Sequence, residues 1–353
     1  MTQVNKKVCI LAGGGLSVPH DYDGMVSSDA APRMDYIELA RKLDAELPTH
    51  PLAKFRYSPK IRQLEQKASL DVSMAGWFAF NAQKYDVILS LAETVGIPLA
   101  GALKLLRSSI PHVLIGHKLS WRVQRYTWRF TNLQYSFSEI ACVSKAQADY
   151  ARSASGMNNP ASYFIYDKVD EKFFTPQSGD DEGYILSVGQ EQRDYATLVQ
   201  ALSGTGKRLV IVASSPWATK KLNLPETDSK VTILSKIPFV KLRDLYAKAK
   251  MVAVSVNDVD FAAGVNGLLE GMSMAKPVVC CHTSGLSGYI EDGVTGRLVP
   301  PASPDILRER ILELWDDPAM CARLGSAGRD AVVKEMTLDH YVERLANLTL
   351  NAA

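Results

Sequence analysis

Ten short apolar runs alternate with segments of helical pattern, and this alternation constrains the fold more than any other feature of the sequence. The runs are continuous rather than alternating, which is typical of strands that are covered on both faces in parallel sheets. The pattern therefore predicts two doubly wound α/β domains. The predicted strands are 7–12, 86–90, 112–116, 139–143 and 163–166, followed by 184–188, 208–213, 231–234, 251–256 and 277–281.

A polar, turn-rich segment, TPQSGDDEG at 175–183, separates the two halves of the chain. The chain has 353 residues, more than one ordinary core accommodates. We expect an N-terminal Rossmann-like domain at 1–175 and a C-terminal Rossmann-like domain at 183–335, facing a cleft at the carboxyl ends of their strands. Residues 336–353 read as a helix that is free to pack back on the N-terminal domain. No apolar run is long and uncharged enough to cross a membrane.

The stretch FAAGVNGLLEGMSMAKPVV, residues 261–279, predicts a helix that starts without a side-chain cap. Gly264, Val265 and Asn266 would present bare backbone amides at its positive end, where a phosphate binds well. Glu270 would lie roughly 6 Å further along the axis, at ~1.5 Å per residue. A carboxylate there can accept hydrogen bonds from two vicinal hydroxyls of a ribose.

Several segments together resemble the retaining glycosyltransferases of family four, which have the GT-B fold. They are GLLEGMSMAKPVV, GLSGYIEDGVTGRLVPP at 285–301 and YILSVGQEQRDYATLVQAL at 184–202, with weaker likeness in VLIGHKLS at 113–120. The resemblance implies transfer of a sugar from a nucleotide-diphospho-sugar to a saccharide, lipid or small-molecule acceptor, with retention of anomeric configuration. It implies no cofactor and no metal, and we see no nucleic-acid motif. We expect a cytoplasmic protein, or one bound peripherally to the inner membrane face.

The resemblance also implies that the domain at 1–175 is the acceptor side and that the domain at 183–335 binds the nucleotide-sugar, and it assigns roles to particular residues. His117 would contact the donor sugar, and Arg193 would bind the departing diphosphate in a bidentate fork. Glu270 matches the second of the two glutamates that mark the family's helix, and the first falls at Ala262, which has no carboxylate. Asp258 or Asp260 could replace it. The other residues expected at the donor are Gly14, Gly15, Gly189 and Ile237, besides Gly264, Val265 and Asn266.

A basic segment, KLSWRVQRYTWRFTNLQYSF at 118–137, is expected to form one helix. Lys118, Arg122, Arg125 and Arg129 would share one face, which Trp121 and Trp128 would flank. A core stripe would lie elsewhere on the helix, formed by Val123, Tyr126, Phe130, Leu133 and Phe137. Such a basic face suits either an anionic membrane surface or a phosphorylated acceptor.

Two other functions remain open from the sequence. Ala262, and Gln190 where the family places an arginine, are compatible with a non-catalytic nucleotide-binding protein. A sugar-nucleotide epimerase of similar architecture is the other alternative. Acceptor-dependent release of a nucleoside diphosphate distinguishes a transferase from both.

Overall fold

The computed structural model describes residues 6–13, 18–48, 65, 70–153, 156–159, 161–213, 224 and 230–353. The chain divides into two compact units. The first contains Met1–Tyr22, Met34–Ile165 and Tyr341–Ala353, and the second contains Asp23–Arg33 and Tyr166–His340.

The first unit is built on a parallel sheet in the order β1-β2-β3-β4-β5. Glu46 pairs with Cys9 on the other side of β1. The strands are β1 (Val8–Leu11), β2 (Val87–Ser90), β3 (His112–Gly116), β4 (Glu139–Cys142) and β5 (Ser162–Phe164). The helices are α1 (Tyr22–Ser27, most of which belongs to the second unit), α2 (Asp35–Leu43), α3 (Val72–Asn81), α4 (Glu93–Leu105), α5 (Arg122–Thr131) and α6 (Lys145–Arg152).

The second unit has a parallel sheet in the order β11-β10-β9-β6-β7-β8. The strands are β6 (Tyr184–Val188), β7 (Arg208–Val212), β8 (Val231–Leu234), β9 (Met251–Val254), β10 (Val278–Cys281) and β11 (Arg297–Val299). The helices are α7 (Tyr195–Leu202), α8 (Phe239–Lys248), α9 (Val265–Ser273), α10 (Pro304–Asp316), α11 (Pro318–Glu335) and α12 (Leu338–Ala352), most of which belongs to the first unit.

All ten predicted strands form, and both sheets are parallel, so the α/β prediction is confirmed. Strand β11 was not predicted because its three residues, RLV, are too short to stand out as an apolar run. The strand predicted at 163–166 covers only Ser162–Phe164. Residues 49–64 and 66–69 lie outside the described residues.

The main boundary between the two units lies before Tyr166, ahead of the expected position at 175. The segment that begins at Tyr166 is hydrogen-bonded to the rest of the second unit. The amide of Asp167 donates to the Tyr289 hydroxyl at 2.8 Å, and Val169 pairs with Thr337. At the other end of the chain, Lys42 forms a 2.6 Å ion pair with Glu343 within the first unit.

The predicted helix at 118–137 is wrong in extent and in orientation. Asn132 adopts the left-handed conformation with φ 52°, which ends α5, and a short 3-10 helix follows over Leu133–Ser136. The side facing the core is that of Trp128, which is fully buried and donates from Nε1 to the carbonyl of Leu119 at 2.9 Å. Three members of the expected core stripe, Val123, Tyr126 and Phe130, are instead exposed.

Helix α9 is anchored by the apolar stripe that its spacing predicts. Val265, Leu268, Leu269 and Met272 are all buried. Gly271 lets the helix approach β9 closely, because a Cβ there would meet Val252 at 3.1 Å. The helix is therefore fixed over the carboxyl half of the second sheet.

Candidate active site

The loops after β6 and β9 leave the second sheet at the point where its strand order reverses. The chain runs outward from β6 to β7 and β8, then crosses to β9 on the other side of β6. In open α/β sheets, ligands bind at this switch point, beyond the carboxyl ends of the strands. Gly189 follows β6 directly, and the loop after β9 leads to Gly264, so both predicted glycines border the switch point.

Helix α9 begins without a side-chain cap, as its sequence predicts. Gly264 stands at the N-cap with φ 95°, a conformation that favours glycine. The Val265 amide donates to the Ala262 carbonyl at 3.3 Å, whereas the amides of Asn266 and Gly267 have no hydrogen-bond partner within the described part of the chain. Two bare amides at the positive end of a helix have the geometry and partial charge that can hold an anion.

The guanidinium of Arg193 lies beside this helix start. Its Nε and Nη2 donate to the Val188 carbonyl at 2.9 and 2.7 Å, and Nη1 donates to the Glu191 carbonyl at 3.1 Å. A guanidinium carries five N–H groups, and these bonds occupy three of them. One N–H on each Nη therefore remains for an anion.

Three glycines, one after β6 and two at the start of α9, provide the space that this guanidinium occupies. A Cβ at Gly189 would clash with Arg193 Nη2, one at Gly264 would lie 3.2 Å from Nη1, and one at Gly267 would lie 3.7 Å from Nη2. The arginine and the bare amides are thus immediate neighbours.

The loop that carries Arg193 is held by the extension of β9. Arg193 pairs with Val256 in an antiparallel bridge, and the Asp194 amide donates to the Ser255 carbonyl at 3.0 Å. The Asp194 carboxylate caps α7 by accepting from the Thr197 amide at 3.0 Å. These contacts fix the guanidinium through the backbone and leave Asp194 engaged as a helix cap.

Glu270 forms a hydrogen bond that the sequence does not predict. Its Oε2 accepts from the hydroxyl of the buried Tyr246, on α8, at 2.7 Å. Among the described residues, no group donates to Glu270 Oε1. A Cβ at Gly267 would lie 3.7 Å from the Tyr246 hydroxyl, so the tyrosine, the glycine and Arg193 are packed together.

The environment of Glu270 disfavours its charge. Burial raises the pKa of this carboxyl to about 7, while the hydrogen bond from Tyr246 and the charge of Arg193 act to lower it. Burial also raises the pKa of Tyr246 well above its usual range, and the charge of Glu270 adds to that effect. Glu270 is therefore a carboxyl whose ionisation responds to new hydrogen-bond donors near neutral pH.

The remaining donor-side positions lie on neighbouring loops. Ile237 is half-buried in the loop between β8 and α8, next to Lys236, whose φ is 51°. Ala262 contributes its carbonyl to the turn before α9. Asp258 is exposed and Asp260 half-buried in the loop that follows β9, so both aspartates precede the helix start.

His117 lies in the first unit, directly after β3, as its sequence position indicates. Its amide and that of Lys118 both donate to Oε1 of Glu93 at 2.5 Å, and His117 Nδ1 lies 3.6 Å from Glu93 Oε2. Glu93 is buried at the start of α4. Burial acts to raise the pKa of Glu93, but the hydrogen bond and charge of His117 and the Lys118 amide hold it below its usual value.

Gly14 and Gly15 lie outside the described residues, so their predicted role stays a prediction. The adjacent Gly13 contacts the first turn of α4, because a Cβ there would clash with Thr94 and lie 3.0 Å from Asp71 Oδ2.

The expected acceptor or membrane face is exposed. Trp121, Arg122, Arg125 and Arg129 all lie on the surface of the first unit. Arg125 Nε donates to the Ser120 carbonyl at 2.5 Å. Trp128, beside this face, is buried rather than exposed.

Within the described ranges, no cluster of three or more His, Cys, Asp and Glu side chains has the geometry of a metal site. None of the described helices is long and apolar enough to cross a bilayer.

Comparison with known proteins gives one family match. Residues 184–317, which include β6 to β11 and the candidate donor residues of the second unit, match the family model described as glycosyl transferases group 1. Glycosyltransferase sequences also match over most of the chain. An alpha-maltose-1-phosphate synthase of Mycolicibacterium smegmatis is 25% identical over 322 residues, covering 78% of this chain and 80% of that protein.

A second relative is a GDP-mannose-dependent monoacylated alpha-(1-6)-phosphatidylinositol monomannoside mannosyltransferase of Corynebacterium glutamicum. It is 24% identical, with 70% of each chain covered. Among solved structures, HepE of Anabaena in complex with UDP-glucose superposes with a TM-score of 0.70 at 16% identity, covering 99% of this chain and all of that one. The shared fold is GT-B, as the sequence predicts.

Proposed function

We propose that this chain, whose residues 184–317 match the glycosyl transferases group 1 family, is a retaining glycosyltransferase that uses a nucleotide-diphospho-sugar. The observation that carries the proposal is the convergence of three features at one switch point. They are the bare amides of Asn266 and Gly267, the guanidinium of Arg193, and the free Oε1 of Glu270.

Each feature matches one part of a nucleoside diphosphate. The two amides and the remaining N–H groups of Arg193 bind phosphate oxygens. Glu270 accepts from the vicinal hydroxyls of the ribose, and backbone near Ile237 contacts the base. When the glycosidic bond breaks, negative charge grows on the diphosphate. The preorganised amides and guanidinium stabilise that charge without having to reorganise.

Fewer observed contacts support the proposed binding of the donor sugar and of the acceptor. His117, held by Glu93, is proposed to contact the donor sugar through its exposed ring. Ala262 cannot supply the carboxylate that the resembled family uses there, so Asp258 or Asp260 is proposed to take that role. The departing phosphate oxygen then accepts the acceptor's proton on the same face of the sugar.

The relatives are consistent with such a donor. HepE was crystallised with UDP-glucose, and the corynebacterial mannosyltransferase depends on GDP-mannose and acts on a phosphatidylinositol monomannoside. For this chain we propose a nucleotide-sugar donor and a saccharide, lipid-linked or small-molecule acceptor.

A second candidate is a nucleotide-binding protein without transferase activity. Ala262 favours it, because a methyl group cannot hydrogen-bond a donor sugar. Such a protein would bind a nucleoside diphosphate through the same amides, and it would release none from a nucleotide-sugar when acceptors are added.

A thermal-shift screen with UDP, GDP and ADP tests the donor site. A ligand at 100 times its Kd stabilises the folded protein by roughly 2.7 kcal/mol. We expect one nucleotide to raise Tm in the wild type, and Glu270→Ala to remove most of that rise. Glu309→Ala, at an exposed position on α10, is the matched control and should keep it. An undiminished rise in Glu270→Ala would remove the ribose assignment.

Transfer itself is tested with the corresponding nucleotide-sugars and a panel of acceptors. Acceptor-dependent release of nucleoside diphosphate, with product of unchanged anomeric configuration by NMR, is the expected result. Binding without release under all acceptors would favour the non-catalytic alternative, and an inverted product would contradict the retaining mechanism.

A further inference from the structure

Helix α5 of the first unit presents an apolar stripe to solvent. Val123 is 64% exposed, Tyr126 55% and Phe130 74%. These residues follow i, i+3, i+7 spacing, so they form one line along the helix. Tyr126 and Phe130 stack with ring centroids 6.3 Å apart. Because the buried Trp128 holds the opposite side of the helix, this orientation is fixed by the core of the unit.

A second stripe, of arginines, runs beside the apolar one. Arg122, Arg125 and Arg129 each precede one of the exposed apolar residues, about 100° away around the helix. No acidic residue occurs between Glu93 and Glu139, whereas six Lys and Arg residues do. The surface of α5 is therefore both apolar and uniformly cationic.

Further exposed apolar residues lie on α4, which is bonded to the end of α5, and directly before α5. Lys104 Nζ, near the end of α4, donates to the Thr131 carbonyl at the end of α5, 2.9 Å away. The next residue, Leu105, is 86% exposed. At the other end of α5, Trp121 is exposed, and Lys118 Nζ lies 5.1 Å from its ring centroid.

We propose that this surface, defined by Val123, Tyr126, Phe130, Leu105 and the three arginines, docks the protein on an anionic lipid bilayer. An apolar stripe that enters the headgroup region while adjacent arginines meet lipid phosphates is the arrangement of an interfacial helix. A phosphorylated soluble ligand would use the arginines but would leave the apolar stripe in water. The charge complementarity and the exposed aromatic pair together favour the bilayer.

Vesicle sedimentation tests the proposal with full-length protein. The wild type should bind vesicles of equimolar phosphatidylcholine and phosphatidylglycerol, and bind much more weakly to phosphatidylcholine alone. Replacing Arg122 and Arg129 by Gln should weaken binding on the order of 25-fold, at about fivefold per basic residue. Val123→Ser with Phe130→Ser should weaken it at least about tenfold, because burial of both apolar side chains is lost.

A matched control comes from α11 of the second unit. Val333→Ser with Lys334→Gln removes one exposed apolar and one basic residue there, and should leave vesicle binding unchanged. The nucleotide-induced Tm rise should persist in every variant, because the residues proposed to bind the donor nucleotide lie in the second unit. Vesicle binding and the proposed function can therefore fail separately.

Three results would overturn the proposal. The first is absence of wild-type binding to anionic vesicles. The second is loss of binding in the arginine variant with full binding in the Val123/Phe130 variant, which would indicate a soluble anionic ligand. The third is a wild-type dimer in light scattering that Phe130→Ser dissociates, which would show that a second copy covers the stripe.

Discussion

The ionisation of Glu270 gives a pH dependence that can be calculated from the structure. Burial raises the pKa of this carboxyl from 4.5 to about 7. A ribose that donates two hydroxyl hydrogen bonds favours the carboxylate, so nucleotide binding should release a proton whenever Glu270 is protonated in the free protein. Below about pH 7, the apparent affinity for a nucleoside diphosphate should fall by a factor approaching ten per pH unit.

Glu270→Gln is the perturbation that isolates this effect. The glutamine cannot exchange a proton, so its affinity should be lower at pH 8 and should carry only the pH dependence of the nucleotide itself. Both proteins are titrated calorimetrically with the same nucleotide at several pH values. The difference between their affinities removes the pH dependence that comes from the nucleotide. Equal pH slopes in wild type and Glu270→Gln would refute the assignment of Glu270 as the hydroxyl acceptor.

The same pKa shift predicts that the free energy of unfolding falls, rather than rises, as pH increases. The unfolded chain releases this proton near its ordinary pKa of 4.5, but the folded chain releases it only near 7. Stability relative to Glu270→Gln should therefore fall as pH rises through that window and then level off. The full difference is on the order of 3 kcal/mol. Urea unfolding at several pH values measures it, and a stability difference independent of pH would contradict the shift.

Three further substitutions test the surroundings of the site. Gly264→Ala should lower Tm and nucleotide affinity, because φ 95° is unfavourable for alanine and the new Cβ would crowd the side chain of Val254 at 2.9 Å. Glu93→Gln should keep the fold, since its amide oxygen can still accept from the two backbone amides, yet should change the pH profile of transfer through His117. Arg329→Met should destabilise the protein by about 1–3 kcal/mol, measured in urea, because Arg329 Nη1 donates to the Ser273 carbonyl at 2.9 Å and holds the end of α9.

Control variants and refuting outcomes for these three predictions are as follows. Gly76→Ala, where a Cβ meets nothing within 4 Å, should be tolerated, and equal Tm values for the Gly264 and Gly76 variants would contradict the first prediction. Glu93→Ala should unfold more readily than Glu93→Gln. Identical pH profiles for wild type and Glu93→Gln would exclude an electrostatic role for Glu93. Wild-type stability in Arg329→Met would show that its carbonyl contacts contribute little.

Apolar patterning predicted ten of the eleven strands in the described part of the chain, because strands buried in a parallel sheet are rich in continuous runs of Val, Ile and Leu. The same principle gave the buried stripe of α9. It failed for α5, where two alternative faces are both rich in aromatic residues. Only packing decides that Trp128, with its indole N–H bound to Leu119, enters the core while Phe130 stays outside.

The sequence predicted the uncapped helix start and the nearby arginine of the candidate site, but it did not predict the side chains that hold Glu270 and His117 in position. An uncapped glycine before an apolar helix is visible in the sequence, and so is an arginine after a strand. Tyr246 and Glu93 are not, because each acts through hydrogen bonds to a separate element of the chain. Tyr246 is a buried aromatic on an amphipathic helix, which reads as ordinary core. Glu93 reads as an ordinary acidic residue in the first turn of a helix.

The most direct test of the donor site follows the backbone amides of Asn266 and Gly267 by NMR. Titration with the nucleoside diphosphate should move both amide protons downfield as they bind phosphate oxygens, and titration with the nucleoside alone should leave them in place. Arg193→Met should reduce the affinity and keep the direction of the shifts. A nucleoside diphosphate that binds while both amide resonances stay unchanged would contradict the proposal that this helix end holds the diphosphate.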